Sequence, residues 1–453
     1  MSRPPADPVA PSTARLLRTD LARLQVDGRL PSLVACLVRD GEVCWSEGYG
    51  AVPGDAEHTA YRIGSITKTV TAVAILRLAA AGELSLDDPV RRWWPRAPYG
   101  EVTLRALLGH GAGVPAEPAG PWWERAGRGE DELALAAAEA GREAPHAPGR
   151  TFHYSNLGYG VLGVVLARAT GEPWFEHVRD AVLAPLGMTS TTYDAPPGAA
   201  RGWSVHPFAR TLLPEPTHDT GVMAPAGQLW STTGDLARWA TFLLTGHVDV
   251  LAGPALRAAF EPQVGHGAGG PGSRHGLGFQ LLDGGARGLV GHSGSMPGFV
   301  ASCFVDPARG TGAVLLANAT SGLAAGPAAA RLLATLEAAE PTLPPAWAPV
   351  DRVPGPLAPL LGVWHWGPRT STWALETAPD GTEEVVAAEA GRVLHRFRVR
   401  GARVVATEGY FTGEEVLVRT APDGTAYLDL GTHQLTREPY TPGDVVPGGT
   451  PSV

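Results

Sequence analysis

The chain has 453 residues, of which 44% are hydrophobic and 18% are charged, a composition typical of a globular protein long enough for two or more domains. Its formal net charge of -9 argues against a nucleic-acid-binding protein and against a polybasic membrane-binding surface. No apolar run predicts a membrane span or a secretory signal, so we expect a cytoplasmic protein that does not bind membranes.

The predicted helices and strands place strands at both ends of a long first segment, with a helical block between them. This order predicts one antiparallel sheet that is completed by the two halves of the segment. The predicted elements are a helix from Ser12 or Thr13 to about Gln25, a helix from Ser65, helices and loops over 84–200, a helix capped by Thr233 or Asp235, strands at about 32–39, 43–50, 276–282, 287–292, 299–305 and 311–317, and a closing helix in AAARLLATLEAAE.

The first two strands form a predicted hairpin that turns at Asp40-Gly41. A two-residue turn there places Cys44 opposite Leu37, so Cys36 faces the other side of the sheet and a disulfide is not expected. Cys303 stands alone. The three thiols are predicted to be structural, as is usual in a cytoplasmic protein.

The texture of the sequence changes after the last of these helices. A proline-crowded stretch cannot continue a helix, and short alternating runs such as HRFRVRG and EVLVRTAPDGTAYLDLG follow it. These runs predict a small antiparallel sheet or barrel. The predicted organisation is a disordered lead (1–11), a first domain (12–340), a proline-rich linker (341–359), a small β domain (360–437) and a disordered tail (438–453).

Ser65 and Lys68 stand three residues apart at the predicted start of an apolar helix, in YRIGSITKTVTAVAI. Positions i and i+3 share a helix face, so the amine can reach the hydroxyl. A hydroxyl is a poor nucleophile near neutral pH, and a desolvated lysine with a lowered pKa can serve as its base. The alternative is a capping serine with a lysine whose amine extends to water.

Two further motifs carry groups that could act with this pair. In GRTFHYSNLGYG, Tyr154 could shuttle a proton and the amide of Asn156 could orient Lys68 and hold a substrate carbonyl; the alternatives are a core aromatic and a helix cap. In GLVGHSGSMPGFV, His292 precedes Gly294, which would let substrate approach the strand edge, and Ser295, whose backbone N–H could bind an oxyanion. Here the alternative is a turn with a surface histidine.

The order Ser-x-x-Lys, Tyr-x-Asn, His-x-Gly resembles the three motifs of the penicillin-binding protein and β-lactamase-like serine hydrolases, on their class C, D-aminopeptidase and esterase side. The resemblance covers about residues 12–340 and includes phrases such as LSLDDPV, APLGMTST and STTGDLARW. It implies an α+β fold in which an antiparallel sheet is flanked by helices and joined by an all-helical subdomain. The second domain would then be a small lipocalin-like β domain.

The resemblance also implies an acyl-enzyme cycle. Ser65 would attack a carbonyl while Lys68 and Tyr154 pass its proton, and the backbone N–H groups of Ser65 and Ser295 would hold the oxyanion. Asn156 would fix Lys68 and the substrate amide. His292 would orient Tyr154 or bind an acyl carboxylate.

Two departures from the family pattern bear on the substrate. His292 stands where many members have lysine, so the fixed cation that grips a penicillin carboxylate is weakened. The phrase GHGAG at 109–113 replaces a common Thr-His-Thr-Ser-Gly and leaves that edge of the pocket unassigned. Efficient β-lactamase activity is therefore not expected.

The layout is closest to penicillin-binding-protein-type thioesterases, which release and cyclise nonribosomal peptides from a peptidyl carrier protein. We expect a small-molecule or peptidyl acyl substrate, with Trp230 and Arg437 shaping its pocket; the alternatives are a core tryptophan and a solvated arginine. A cytoplasmic esterase, a D-aminopeptidase-like hydrolase and a catalytically silent ligand-binding module remain alternatives. No cofactor or metal site is expected, because the 14 histidines lack metal-ligand spacing.

Overall fold

The computed structural model describes residues 8–126, 131–264, 273–283, 288–341, 343, 347–378, 381–441, 443–444 and 446. The chain forms two compact units, Met1–Leu343 and Pro344–Val453. The lead (1–11) and the tail (438–453) that were predicted to be disordered lie partly outside the described residues.

The first unit is built on a seven-stranded sheet to which both ends of the unit contribute. Its strands are β1 (Ser32–Arg39), β2 (Glu42–Gly50), β7 (Ser273–His275), β8 (Gln280–Asp283), β9 (Gly288–Met296), β10 (Phe299–Asp306) and β11 (Thr311–Ala317). The order is β2-β1-β11-β10-β9-β8-β7, and all neighbours are antiparallel. Two small pairs lie outside this sheet: β3 (Tyr61–Arg62) with β6 (Trp230–Ser231), and β4 (Trp203–Val205) with β5 (Leu212–Pro214).

Helices cover both faces of the sheet and form a separate helical block. They are α1 (Pro11–Gly28), α2 (Thr67–Ala80), α3 (Leu104–Leu108), α4 (Trp123–Ala126), α5 (Glu132–Ala138), α6 (Asn156–Thr170), α7 (Trp174–Val178), α8 (Ala224–Gly227), α9 (Thr233–Thr245), α10 (Gly253–Ala258) and α11 (Ala325–Ala339). Because side chains alternate along a strand, Leu33 and Leu37 of β1 pack with α1 and α11, whereas Val34 and Val38 pack with the core that holds α2 and α9. The α+β fold predicted from the sequence is confirmed.

The hairpin differs from its predicted register. A bulge between Leu37 and Val38 makes Leu37 pair with Trp45, so Cys44 does not lie opposite Leu37. Cys36 pairs with Ser46. All three cysteines are buried and free.

Helix α6 is apolar on nearly all sides because it lies inside the helical block. The Ser155 hydroxyl caps it by accepting from the N–H of Gly158, and Gly171 ends it in the left-handed conformation. A Cβ on Gly163 would lie 2.1 Å from the ring of Pro225. Glycine at 163 therefore lets α8 pack directly on α6, which fixes the position of the backbone around Ala226.

The second unit is an antiparallel ring of eight strands. They are β12 (Gly362–Trp366), β13 (Arg369–Thr377), β14 (Glu383–Glu389), β15 (Arg392–Arg400), β16 (Arg403–Glu408), β17 (Val416–Thr420), β18 (Ala426–Leu430) and β19 (His433–Leu435). Consecutive strands pair within a five-stranded and a three-stranded sheet, and bridges at Val405–Glu415 and His365–Thr436 join the two sheets at both edges. The predicted small antiparallel β domain is confirmed. Within the described parts of both units, no helix combines the length and hydropathy needed to cross a bilayer.

A close backbone contact joins the sheet to the 3-10 turn Gly64–Ile66 at the start of α2. A Cβ on Gly294 of β9 would lie 1.9 Å from the carbonyl oxygen of Ile63 and 3.1 Å from the backbone nitrogen of Ser65. Gly64 has a φ of 53°, and a Cβ on it would lie 2.6 Å from the backbone of Ser295. Glycines on both sides let the two segments touch, which differs from the expectation that Gly294 makes room for substrate.

Replacing Gly294 with alanine should therefore separate β9 from the turn that carries Ser65. We expect the melting temperature to fall by at least about 2 °C, as overpacking of a tight contact usually costs about 1–3 kcal/mol. Gly288→Ala, on the same strand, is the matched control, because no described atom lies within 4 Å of the place that its new Cβ would take. Equal melting temperatures for the two variants would contradict this account of the contact.

Candidate active site

Ser65 and Lys68 lie together at the junction between the sheet and the helical block. Ser65 is in the 3-10 turn and Lys68 is in the first turn of α2, which begins at Thr67 rather than at Ser65 as predicted. The Nζ atom of Lys68 lies 2.9 Å from Oγ of Ser65. The i, i+3 spacing thus delivers the predicted contact, while Ser65 stays partly exposed.

The amine of Lys68 is desolvated. The residue is 0% exposed, and its Nζ donates to the carbonyl oxygen of Ala226 at 2.6 Å. Burial lowers the pKa of Lys68 to about 7, although the carboxylates of Glu117 and Glu124 oppose this shift. A substantial fraction of the amine is therefore neutral at physiological pH and can accept a proton from Ser65.

Tyr154 is brought to the same place. Nζ of Lys68 lies 5.1 Å from the centroid of its ring. Burial raises the pKa of Tyr154 far above its usual range, and an interaction with the side chain of Ser65 offsets only part of that shift. Tyr154 is thus a phenol at neutral pH, which suits a proton donor in a relay better than a phenolate base.

Asn156 lies beside the pair but contacts other groups. Its Nδ2 donates to Oε1 of Glu117 at 2.6 Å, and its Oδ1 is buried without a hydrogen-bond partner among the described residues. The group that fixes Lys68 is the carbonyl of Ala226, not the Asn156 amide. Nor does Asn156 cap α6, because the Ser155 hydroxyl does so. A buried amide oxygen without a partner is uncommon in a folded protein, so Asn156 remains a candidate acceptor for a group from a substrate.

The two predicted oxyanion donors belong to the segments that touch. Ser65 contributes its N–H from the 3-10 turn, and Ser295 lies on β9 directly against Gly64. Ser295 pairs with Val300 across β9 and β10, which fixes its backbone in the sheet. Preorganised donors of this kind typically contribute about 3–4 kcal/mol each to acyl transfer.

His292 is a buried neutral side chain rather than a surface histidine. It is 1% exposed, and its Nδ1 contacts the carbonyl oxygen of Ser293. Because a carbonyl oxygen only accepts, Nδ1 carries the proton and Nε2 is left as an unpaired acceptor among the described residues. Burial, with smaller contributions from His275 and Lys68, holds the pKa of His292 well below its usual range. His292 therefore supplies no cation for a substrate carboxylate.

Two histidines that sequence reasoning missed surround Tyr154 together with His292. Ring centroids of His110, His275 and His292 lie 4.3, 6.1 and 6.2 Å from that of Tyr154. Burial lowers the pKa of His275 to about 4 and that of His110 well below its usual range. His110 lies in GHGAG, whose departure from the usual family phrase could have indicated it. The sequence around His275, SRHGLGF, contains no such indication.

Two carboxylates that act on Lys68, those of Glu117 and Glu124, belong to none of the three sequence motifs. Glu117 accepts from the amide of Asn156 and, at 2.8 Å, from the indole of Trp123. Burial raises the pKa of Glu124, whose neighbours include Glu117 and Lys68. Both carboxylates raise the pKa of Lys68 and so place negative charge near it; we call Glu117 and Glu124 together the negative wall. Among the described residues, no group of three acidic, histidine or cysteine side chains is arranged to hold a metal ion.

The contacts of Trp230 and Arg437 are made within their own units. Trp230 is only 2% exposed and packs in the core, where its ring contacts that of Phe299. Arg437 belongs to the second unit. Its guanidinium lies 3.6 Å from the ring centroid of Trp364 and donates to the carbonyl oxygens of Val363 and Pro359. Its contacts are therefore structural ones within its own unit.

Comparison with known proteins gives matches to both parts of the chain. The family model described as Beta-lactamase matches residues 14–338. A second model, described as a domain of unknown function (DUF7586), matches residues 353–437.

Individual relatives are distant. Beta-lactamase-like protein 2 of Dictyostelium discoideum is 29% identical over 255 residues, which are 52% of this chain and 46% of that protein, so this chain spans about half of its length. A D-stereospecific amidohydrolase from Streptomyces sp. is 26% identical, with a TM-score of 0.61 over 72% of this chain and 98% of that one. An octameric penicillin-binding protein homologue from Pyrococcus abyssi shares the fold over 93% of this chain and 99% of its own, with 21% identity and a TM-score of 0.63.

The pKa of Lys68 near 7 predicts the pH dependence of acylation. Since only the neutral amine accepts the Ser65 proton, kcat/KM for an activated ester should rise with pH, about tenfold per unit below pH 7, and level off above it. His110, His275 and His292 should cause no further change of kcat/KM between about pH 5 and 8, because burial keeps their imidazoles neutral. Circular dichroism over the same range controls for unfolding. A flat profile between about pH 5 and 8 would exclude Lys68 as the base.

The negative wall should be visible in the same profile. Glu117 and Glu124 both raise the pKa of Lys68, so Glu117→Gln or Glu124→Gln should move the rising limb to lower pH. Glu124→Gln keeps the carboxylate that holds Asn156 and thus separates charge from positioning. Glu143→Gln, at an exposed position, is the control and should leave the limb in place. A limb that stays fixed or moves to higher pH in both site variants would refute the charge coupling.

Proposed function

This chain belongs to the β-lactamase family, and from that premise we propose that it is a serine hydrolase or acyltransferase that works through an acyl-enzyme on Ser65. The observation that supports this most directly is the desolvated amine of Lys68 at 2.9 Å from the Ser65 hydroxyl, with a pKa of about 7. A nucleophile and a base within hydrogen-bond reach are the requirement for such chemistry.

The cycle follows from the positions of the groups. Oγ of Ser65 bonds to the carbonyl carbon of the substrate as its proton passes to Nζ of Lys68, and the carbonyl electrons move to an oxyanion held by the N–H groups of Ser65 and Ser295. Collapse of this intermediate breaks the bond to the leaving group, which takes its proton from Tyr154; Tyr154 is then reprotonated from Lys68. Water or an amine next attacks the ester carbonyl, and the same groups return the proton to Ser65.

Charge around the site indicates the class of acyl donor. His292 is neutral, so a donor with a free carboxylate beside the scissile bond, such as a penicillin, finds no cation there. Glu117 and Glu124 instead favour a protonated amine near the acyl group. We therefore propose aminoacyl or peptidyl amides, esters and thioesters as donors, and the likeness to a D-stereospecific amidohydrolase supports this class.

A stand-alone thioesterase that off-loads and macrocyclises a nonribosomal peptide is a second candidate. The negative wall is compatible with it as well, because the acceptor in cyclisation is the peptide's own terminal amine, which the two carboxylates would hold near the acyl-enzyme. A peptidyl carrier protein would then be the natural partner. Simple hydrolysis of D-aminoacyl amides requires no such partner.

Acylation provides the test. Incubation with p-nitrophenyl acetate should give one acetyl adduct on Ser65 by intact-mass and peptide mass spectrometry. Ser65→Ala should abolish the adduct and lower turnover by at least about 10³-fold. Ser204→Ala, in the small β4–β5 pair, is the control and should react normally. An adduct elsewhere, or an unchanged rate in Ser65→Ala, would refute the acyl-enzyme and favour a ligand-binding role.

The two candidates separate with N-acetylcysteamine thioesters of peptides that end in a D- or L-residue and carry a free amino terminus. A cyclic product from one stereoisomer identifies a cyclase. Linear acid as the sole product, together with release of ammonia from D-aminoacyl amides, identifies a hydrolase. Acetylation of the peptide amine removes the nucleophile and should abolish cyclisation, whereas it should only weaken hydrolysis if the negative wall binds the amine.

A further inference from the structure

The ring of eight strands in the second unit is filled at one end. Leu357 and Leu360 of the segment before β12 are buried there with Trp364. The indole of Trp364 donates to the carbonyl oxygen of Leu360, and Arg437 covers the outer face of its ring. Trp373 and Phe397 stack deeper in the interior with ring centroids 4.7 Å apart. Side chains of the unit itself close this end.

The other end is not filled. The turns that join β12 to β13, β14 to β15, β16 to β17 and β18 to β19 surround a cavity of about 500 Å³. A ring of eight strands has an interior that is either packed with side chains or able to hold one small ligand. In this unit the end near Trp364 is packed with side chains, and the opposite end has room for a small ligand.

The walls of this cavity are aromatic. Trp366, Tyr410, Phe411, His395 and His433 line it, and their rings contact one another in a chain. Trp366 is 46% exposed and Tyr410 is 86% exposed, although both are large rings that gain free energy when they are covered. The exposed rings converge on one concave space, as in small-molecule sites, rather than being scattered over the surface.

The rim of the cavity carries an excess of positive charge. Arg369 forms a two-point ion pair with Glu389, so these two charges cancel. Arg392, at the start of β15, also lines the cavity and is exposed. Arg392 also acts on Glu389 electrostatically, so among the described lining residues two guanidiniums face one carboxylate, and the excess positive charge can attract a carboxylate or sulfonate.

We propose that this cavity binds a single small amphipathic anion, whose flat or aliphatic apolar body lies against the aromatic walls and whose acidic group pairs with Arg392. The volume suits a ligand of drug size or smaller. Every group that lines this cavity belongs to the second unit, so the proposal does not rest on the function proposed for the first.

The test uses the full chain and two fluorescent probes of similar shape, the anionic 8-anilino-1-naphthalenesulfonate and the neutral N-phenyl-1-naphthylamine. Both should bind with saturation at one site, and the anion should bind more tightly. Ser65→Ala should bind both normally, which separates this site from the catalytic one. Dodecanoate should displace both probes.

Variants locate the site. Tyr410→Ala should weaken both probes at least about fivefold through loss of ring contact, whereas Phe208→Ala, at an equally exposed aromatic in the first unit, should not. Arg392→Ala should weaken the anion about tenfold and spare the neutral probe, while Arg400→Ala, at the other end of β15, should change neither. Binding that is absent, unsaturable or insensitive to both Tyr410→Ala and Arg392→Ala would overturn the proposal.

Discussion

The desolvation of one amine sets the requirements for the rest of the first unit. Burial makes the protonated form of a lysine unfavourable, and this lowers the pKa of Lys68. The neutral amine that results can act as a base. The amine of Lys68 is shielded from water because α2, α6 and α8 pack around its Nζ atom. The close approach of Gly163 to Pro225 positions α8 so that the carbonyl oxygen of Ala226 accepts a hydrogen bond from this atom. Three neutral imidazoles and an un-ionised phenol add polarity without adding charge.

The proposed nucleophile and oxyanion donors depend on a second constraint, the contact between β9 and the 3-10 turn. The turn comes from the start of the unit and β9 from its end, so neither segment alone forms the donor pair. Glycine is required at 294 by the short distance alone, and at 64 by the short distance together with its positive φ. The sheet therefore holds β9 against the 3-10 turn, although the two segments are far apart in the sequence.

The sequence predicted well those features that depend on local spacing. Ser65, Lys68 and Tyr154 meet as expected, and the sheet is completed by both ends of the unit. What it missed depends on tertiary packing: the Ala226 carbonyl has no side-chain signature, and His275 and Glu117 belong to no motif. Trp230 was expected in the pocket because exposed and core aromatics look alike in a sequence. The bulge between Leu37 and Val38 was not predicted either, because no glycine or other turn-forming residue at these positions indicates it.

The pairing of β1 with β11 has a consequence for the newborn chain. While the ribosome is still making the helical block, β1 and β2 form only a two-stranded hairpin, which is barely stable alone and offers apolar edges to chaperones. Ser65 and Lys68 are then already synthesised, but β9, which carries Ser295, is not. The site proposed here can therefore assemble only after the carboxyl-terminal strands have been made and β11 has paired with β1.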